Sequence, residues 1–229
     1  MHLRALNLKE TTIRRAASMG RDYGVCRFVV CHIGGGISIS AHDSGKMIDG
    51  YDIVGGEGMM APTRCGGVPV VEVLDCLEAG HTTSEVRKMC MKTGGFVDLL
   101  GTSDALEVSN RAAAGDETAA RAWDAMVYQI CKAIGSMSAV LGGKVDGILL
   151  GGGMVHNKCL VAALEERCGW IAPVTAYPGE FELEAMAAGA RRVLDGDEAP
   201  RTYTGVPVFT GFPVFDDPDA GGDIEPIVA

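Results

Sequence analysis

The chain has 229 residues, enough for one large domain or two small ones with a sizeable core. Its net charge is −10, and it has no basic stripe to replace nucleic-acid counterions. That argues against DNA, RNA or an anionic membrane as partner, but not against a small phosphate compound held by one local arginine.

In chain order, residues 3–23 read as a helix of good formers, closed by Gly20 and Gly24. Residues 28–32 form a short apolar run stopped by Gly34-Gly35-Gly36, which reads as a buried strand. Residues 37–42 alternate apolar and polar, as a half-buried strand does. A turn at Asp43-Ser44-Gly45 leads to a third strand, 46–52, and completes an antiparallel meander. Residues 54–67 are a glycine-rich loop. Helices are expected over 69–79 and 82–91, from a cap at Ser103 or Asp104 to residue 114, and over 116–141. Gly94-Gly95 and Gly101 frame a loop between the second and third of these. The longest helix places Ala122, Met126, Ile130, Ile134 and Met137 on one stripe.

The pattern then alternates. Residues 147–150 read as a strand, Gly151-Gly152-Gly153 as a turn and 157–167 as a helix. A strand over 171–177, a turn at Pro178-Gly179 and a helix over 182–194 follow. This alternation implies parallel strands added to the sheet. From residue 200 the chain is rich in Pro, Gly and Asp and is expected to be extended, mobile or docked as an arm. No apolar run approaches the ~20 residues of a bilayer span, and Met1 to Arg15 has no signal-peptide core. The eight cysteines show no C-x2-C spacing. A reduced, cytoplasmic protein is expected.

Four segments can carry chemistry. His32-Ile33-Gly34-Gly35-Gly36 ends a strand in three glycines, which let a phosphate approach the main chain without meeting a Cβ. Its bland alternative is a glycine turn beside a core histidine. Arg64, in the glycine-flanked loop 61–67, could grip phosphate or carboxylate through two parallel hydrogen bonds, or simply make a surface ion pair. Gly151-Gly152-Gly153-Met154 could let an adenosine lie on the backbone, or allow close helix–strand packing. Glu180 and Glu182 could hold Mg2+ through water, or merely complement a helix dipole. Ligands in open α/β sheets gather beyond the carboxyl ends of strands, where these segments fall. No P-loop, nucleophile elbow or dinucleotide fingerprint is present.

Together and in order, these segments resemble the acetokinase family of acetate and butyrate kinases. CHIGGGISISAHDSGKMIDGYDIVGGEGMMAPTRCGG is similar to the family's second phosphate motif with its following strand and arginine loop. GTSDALEV, YQICKAIGSMSAVLGGKVDGILLGGG and YPGEFELEAMAAGARRVL resemble later butyrate kinase segments, and Ala5-Leu6-Asn7 resembles the segment just before the phosphate motif. The resemblance covers roughly residues 4–198.

It implies an α/β, actin-like (ribonuclease-H-related) ATPase domain, with a mixed sheet flanked by helices. It also implies transfer of the γ-phosphoryl of ATP to a carboxylate, butyrate or a branched-chain acid, with Mg2+. On this resemblance His32, Ile33, Gly34, Gly35 and Gly36 meet ATP or ADP phosphates, and Arg64 with His32 serves catalysis. Ser103, Asp104, Ala105, Gly151, Gly152, Gly153, Met154, Val155, His156 and Asn157 line the nucleotide site. Glu180 or Glu182 supports the metal. A homodimer is common in the family.

The departures are equally specific. The family places a further domain before this point, with a first phosphate loop and substrate groups that have no counterpart here. It places a histidine where this chain has Arg4, and an arginine where it has Leu106. Residues 1–24 are therefore expected to be a helix left from a preceding domain, 25–198 the nucleotide-binding domain and 199–229 the tail, as in a truncated or frame-shifted reading of a longer gene. The competing expectation is a non-catalytic nucleotide-binding module, or a half-protein needing a partner domain. A sugar kinase or chaperone-like ATPase of the same superfold is a third.

Overall fold

The computed structural model describes residues 4–53, 55–200 and 202–206. A five-stranded mixed sheet organises them, in the order β3-β2-β1-β4-β5. Strands β1 (Arg27–Ile33), β2 (Ile37–Asp43) and β3 (Lys46–Gly50) are the antiparallel meander. Strands β4 (Gly147–Gly152) and β5 (Val174–Pro178) add on parallel to β1. The register pairs Ile33 with Ile37, so Gly34-Gly35-Gly36 is the hairpin connection. It also pairs His32 with Gly151 and Gly152 with Pro178, which brings the carboxyl ends of β1, β4 and β5 side by side.

Eight α-helices surround this sheet among the described residues: α1 (Ala5–Ser18), α2 (Val70–Glu78), α3 (Thr83–Met91), α4 (Phe96–Leu100), α5 (Ala105–Ala113), α6 (Glu117–Val140), α7 (Lys158–Cys168) and α8 (Glu182–Leu194). The longest, α6, starts where the Asp116 carboxylate accepts from the amides of Thr118 and Ala119. Its stripe of Ala122, Met126, Ile130, Ile134 and Met137 packs on Val29, Cys31 and Ile33 of β1, Ile37, Ile39 and Ala41 of β2, and Ile148 and Leu150 of β4. Each fully buried large apolar side chain contributes about 1.5–3 kcal/mol of transfer free energy. On the opposite face Leu8 and Ala16 of α1 meet Phe28, Val30 and Leu149.

The second face is polar along β2. Ser38, Ser40 and His42 are buried rather than solvent-facing, so β2 is covered on both sides and not half-buried as its alternation suggests. His42 is satisfied there, its Nδ1 lying 3.0 Å from the Tyr23 hydroxyl and its Nε2 3.1 Å from the Ser40 hydroxyl.

Other expectations shift. The first helix stops at Ser18, with Gly20 at φ +66°, and a 3₁₀ turn holds Tyr23–Val25. The loop between Gly94-Gly95 and Gly101 contains a short helix, α4, whose Phe96 is fully buried. The expected turn at Gly151-Gly152-Gly153 does not form as such. Gly151 and Gly152 continue β4, Gly151 paired with both β1 and β5 and Gly152 with β5, and a 3₁₀ turn, Gly153–His156, follows directly. The fifth strand starts at Val174, three residues later than expected. The chain divides after Arg191. In the second unit Arg192 Nε donates to Glu198 Oε2 at 3.2 Å. The expectation of an extended or mobile tail falls largely on residues 207–229, outside the described residues. No helix among the described residues is long and apolar enough to cross a membrane.

Candidate nucleotide and metal site

The three parallel strand ends deliver the site. At the end of β1 the amide of Gly34 donates to the carbonyl of Gly36 across the hairpin. Arg64 reaches this turn from the loop before α2. The loop closes on itself through paired backbone hydrogen bonds between Ala61 and Arg64, and the Thr63 hydroxyl donates to the Gly35 carbonyl at 3.4 Å. The guanidinium lies directly over Gly36, where an added Cβ would come within 2.9 Å of Arg64 Nη1. That Nη1 is buried without a hydrogen-bond partner among the described residues. Burial, and then the nearby Arg4, lower the Arg64 pKa from its usual value, yet a guanidinium stays charged in proteins. The turn therefore carries a fixed cation against exposed backbone, an arrangement that attracts phosphate oxygens.

His32 sits beneath the same turn, with no solvent exposure. Its Nδ1 is 3.2 Å from Oδ1 of Asn7, on α1. With that oxygen accepting, Nδ1 carries the proton and Nε2 keeps its lone pair. Burial chiefly, and then the Arg4 charge, lower its pKa and favour the neutral ring. Nε2 has no hydrogen-bond partner among the described residues and lies 3.6 Å from Glu180 Oε1. Glu180 follows Gly179, which pairs with Gly152 beyond the end of β5, and Glu182 opens α8.

His32, Glu180 and Glu182 offer ligand atoms all within 4.8 Å of one another. Two oxygens on opposite sides of Mg2+ lie about 4.2 Å apart. The trio thus fits a divalent cation held partly through water, and the orphaned Nε2 supplies a reason for one. Arg4, ahead of α1, donates from Nη1 to Oε1 of both Glu180, at 3.1 Å, and Glu182, at 3.3 Å.

A second concavity adjoins the first. Gly152, at φ +96°, lies so close to Ile33 that a Cβ there would sit 2.4 Å from the Ile33 carbonyl oxygen. The chain then passes into the 3₁₀ turn at Gly153 and bounds a cavity of about 370 Å³ lined by Ser103, Asp104, Ala105, Trp123, Met154 and Asn157, among others. That size suits a nucleoside. Asn157 builds the wall in two ways. Its Oδ1 caps α7 by accepting from the amides of Cys159 and Leu160, and its Nδ2 donates to Ser109 of α5 at 2.8 Å.

Most residues expected to line a nucleotide site face this cavity, but not all. Val155 is buried in the core. Gly151 and Gly152 are buried within the sheet, and Ile33 offers only its main chain. Two lining residues went unanticipated as such, Leu106 and Trp123. Leu106 is largely exposed, and Trp123 stacks at 6.2 Å on Phe96. Trp123 stands one position off the apolar stripe of α6, a visible signal that it serves something other than the sheet.

Comparisons with known proteins follow this geometry. Residues 11–169 match the model of the acetokinase family. A probable butyrate kinase of Clostridium botulinum (strain Alaska E43 / Type E3) is 44% identical over 200 residues, covering 87% of this chain and 56% of that protein. The chain thus spans about half the length of such relatives. Among solved structures, Porphyromonas gingivalis acetate kinase matches with a TM-score of 0.76 at 24% identity, covering 82% of this chain and 54% of that one. A propionate kinase from Francisella tularensis matches at 0.72 and 21%, covering 80% and 53%. The fold is that of the actin-like ATPases.

Proposed function

Because the chain belongs to the acetokinase family, we propose that it is the nucleotide-binding half of an ATP-dependent carboxylate kinase. Butyrate or a branched-chain acid is the acceptor, an acyl phosphate the product. The observation that carries this reading is the convergence of Arg64, His32 and Gly34–Gly36 beside the Gly153–Asn157 cavity. Adenosine in the cavity directs its phosphates toward the glycine turn. Arg64 stabilises charge on the transferring phosphoryl group, the larger part of catalysis in a reaction with little covalent work for the protein. His32 holds its neutral ring toward the carboxylates. Glu180 and Glu182, with His32 Nε2 beside them, would hold a divalent cation, Mg2+ in this reading, which would neutralise phosphate charge. In this scheme 25–198 form the nucleotide-binding domain, with α1 packed on its sheet, and the enzyme is cytoplasmic and pairs as a homodimer. Eight free cysteines suit a reducing compartment.

Hydroxylamine trapping of acyl phosphate from ATP, Mg2+ and butyrate tests transfer. Arg64→Ala should lower the rate about 10²–10³-fold while changing ADP affinity far less. Equal loss of rate and affinity would contradict the role given to Arg64. Nucleotide binding with no trapped product at all would favour a non-catalytic module.

A further inference from the structure

Arg4 stands where a metal ion would compete with it. One nitrogen, Nη1, is shared between Glu180 Oε1 and Glu182 Oε1, at 3.1 and 3.3 Å. These two residues, with His32, form the group whose ligand atoms lie within 4.8 Å of one another. Glu180 Oε1 also lies 3.6 Å from the unpartnered, fully buried His32 Nε2. A single cationic nitrogen between two carboxylates, beside an imidazole with a free lone pair, occupies the position a divalent cation would take. Arg4 is 41% exposed and precedes the first turn of α1, so its side chain can leave without breaking a core contact. Its positive field already reaches Arg64 across the glycine turn.

We propose that Arg4 is an internal counter-ion of the metal site: it holds Glu180 and Glu182 together in the metal-free chain, and a divalent cation must displace it to bind. The inference rests on the metal assignment made above. The carboxylates then exchange a monovalent partner for a divalent one, and an anionic nucleotide offsets the added positive charge. Metal and nucleotide should therefore each strengthen the other's binding.

The test is Mn2+ binding to the full chain without nucleotide, read from the electron paramagnetic resonance of free Mn2+. Half-exposed ion pairs of this kind are weak, so removing the competitor should tighten Mn2+ binding by about three- to tenfold in Arg4→Ala. Arg4→Gln, which keeps a polar side chain without charge, should behave similarly, and Arg4→Lys should stay near the parent. Unchanged or weaker Mn2+ binding in both neutral variants overturns the proposal. ADP titrations of the same preparations separate the two levels. A parent chain that binds ADP and Mn2+, with no tightening in the variants, sinks the counter-ion role alone. A parent chain that binds neither sinks the nucleotide and metal reading with it.

Discussion

His32 and His42 lie on one face of the sheet, both buried, and their surroundings set them apart. His42 has both ring nitrogens engaged, by Tyr23 and Ser40. His32 has one nitrogen fixed by Asn7 and the other left open toward Glu180. A buried polar atom without a partner costs about 1–3 kcal/mol, which is why so few persist without a role. His42 has a plainly structural consequence. Burial lowers its pKa from 6.5 to about 4. The unfolded ring takes up a proton near pH ~6.5, while the folded one stays neutral until about pH 4. Between these values the unfolded state binds more protons, so stability falls as pH falls, by roughly 3 kcal/mol across the window. Thermal melts from neutral pH down to about pH 4.5 should show this slope, and His42→Gln should flatten it. An unaltered slope in the variant would assign the effect elsewhere. The sequence exposed His32, because it ends an apolar run before three glycines. It did not expose the ion pair of Arg4 with Glu180, 176 positions away along the chain.

Local chemistry marked most elements. Asp104, expected as a cap, and Asp116 and Asn157 each precede a helix and cap it through a side-chain oxygen. Thr82 and Glu85 form a reciprocal capping box on α3. The failures share a cause. Glycine reads as a stop, so Gly151 and Gly152 were expected to turn. Pairing of Gly151 with β1 and β5, and of Gly152 with β5, keeps them in the strand instead, and Gly152 lets β4 approach Ile33. Helix α4 is too short to show a period and is held by the burial of Phe96. Asn157 links the elements that bound the cavity, capping α7 while donating to Ser109 of α5. Asn157→Ala should cost about 1 kcal/mol of stability from the lost cap. It should also weaken ADP binding severalfold, because the cavity wall loses its tie to α5. Denaturant melts and calorimetry would check the two effects, and full ADP affinity in a destabilised variant would remove Asn157 from the site.

At the scale of the molecule, the order of elements was the most legible feature. A meander followed by alternating strands and helices dictates which strands run parallel, and their carboxyl ends then meet at one edge. Four ordered motifs along one chain pointed to the acetokinase family before any coordinates. What the linear order could not supply is the depth at which groups sit. It left open that the β2 serines are covered, that Val155 turns inward and that Arg64 Nη1 is sealed against Gly36. The chain spans 56% of the length of its butyrate kinase relative. The glycine turn, Arg64 and a nucleoside-sized cavity nevertheless lie within it, and the proposal is that they form one wall of a nucleotide site. Isothermal titration of the purified chain with ADP in the presence of Mg2+ tests that claim most directly. Saturable one-to-one binding that weakens when Mg2+ is removed is expected, and no binding at millimolar nucleotide would contradict it.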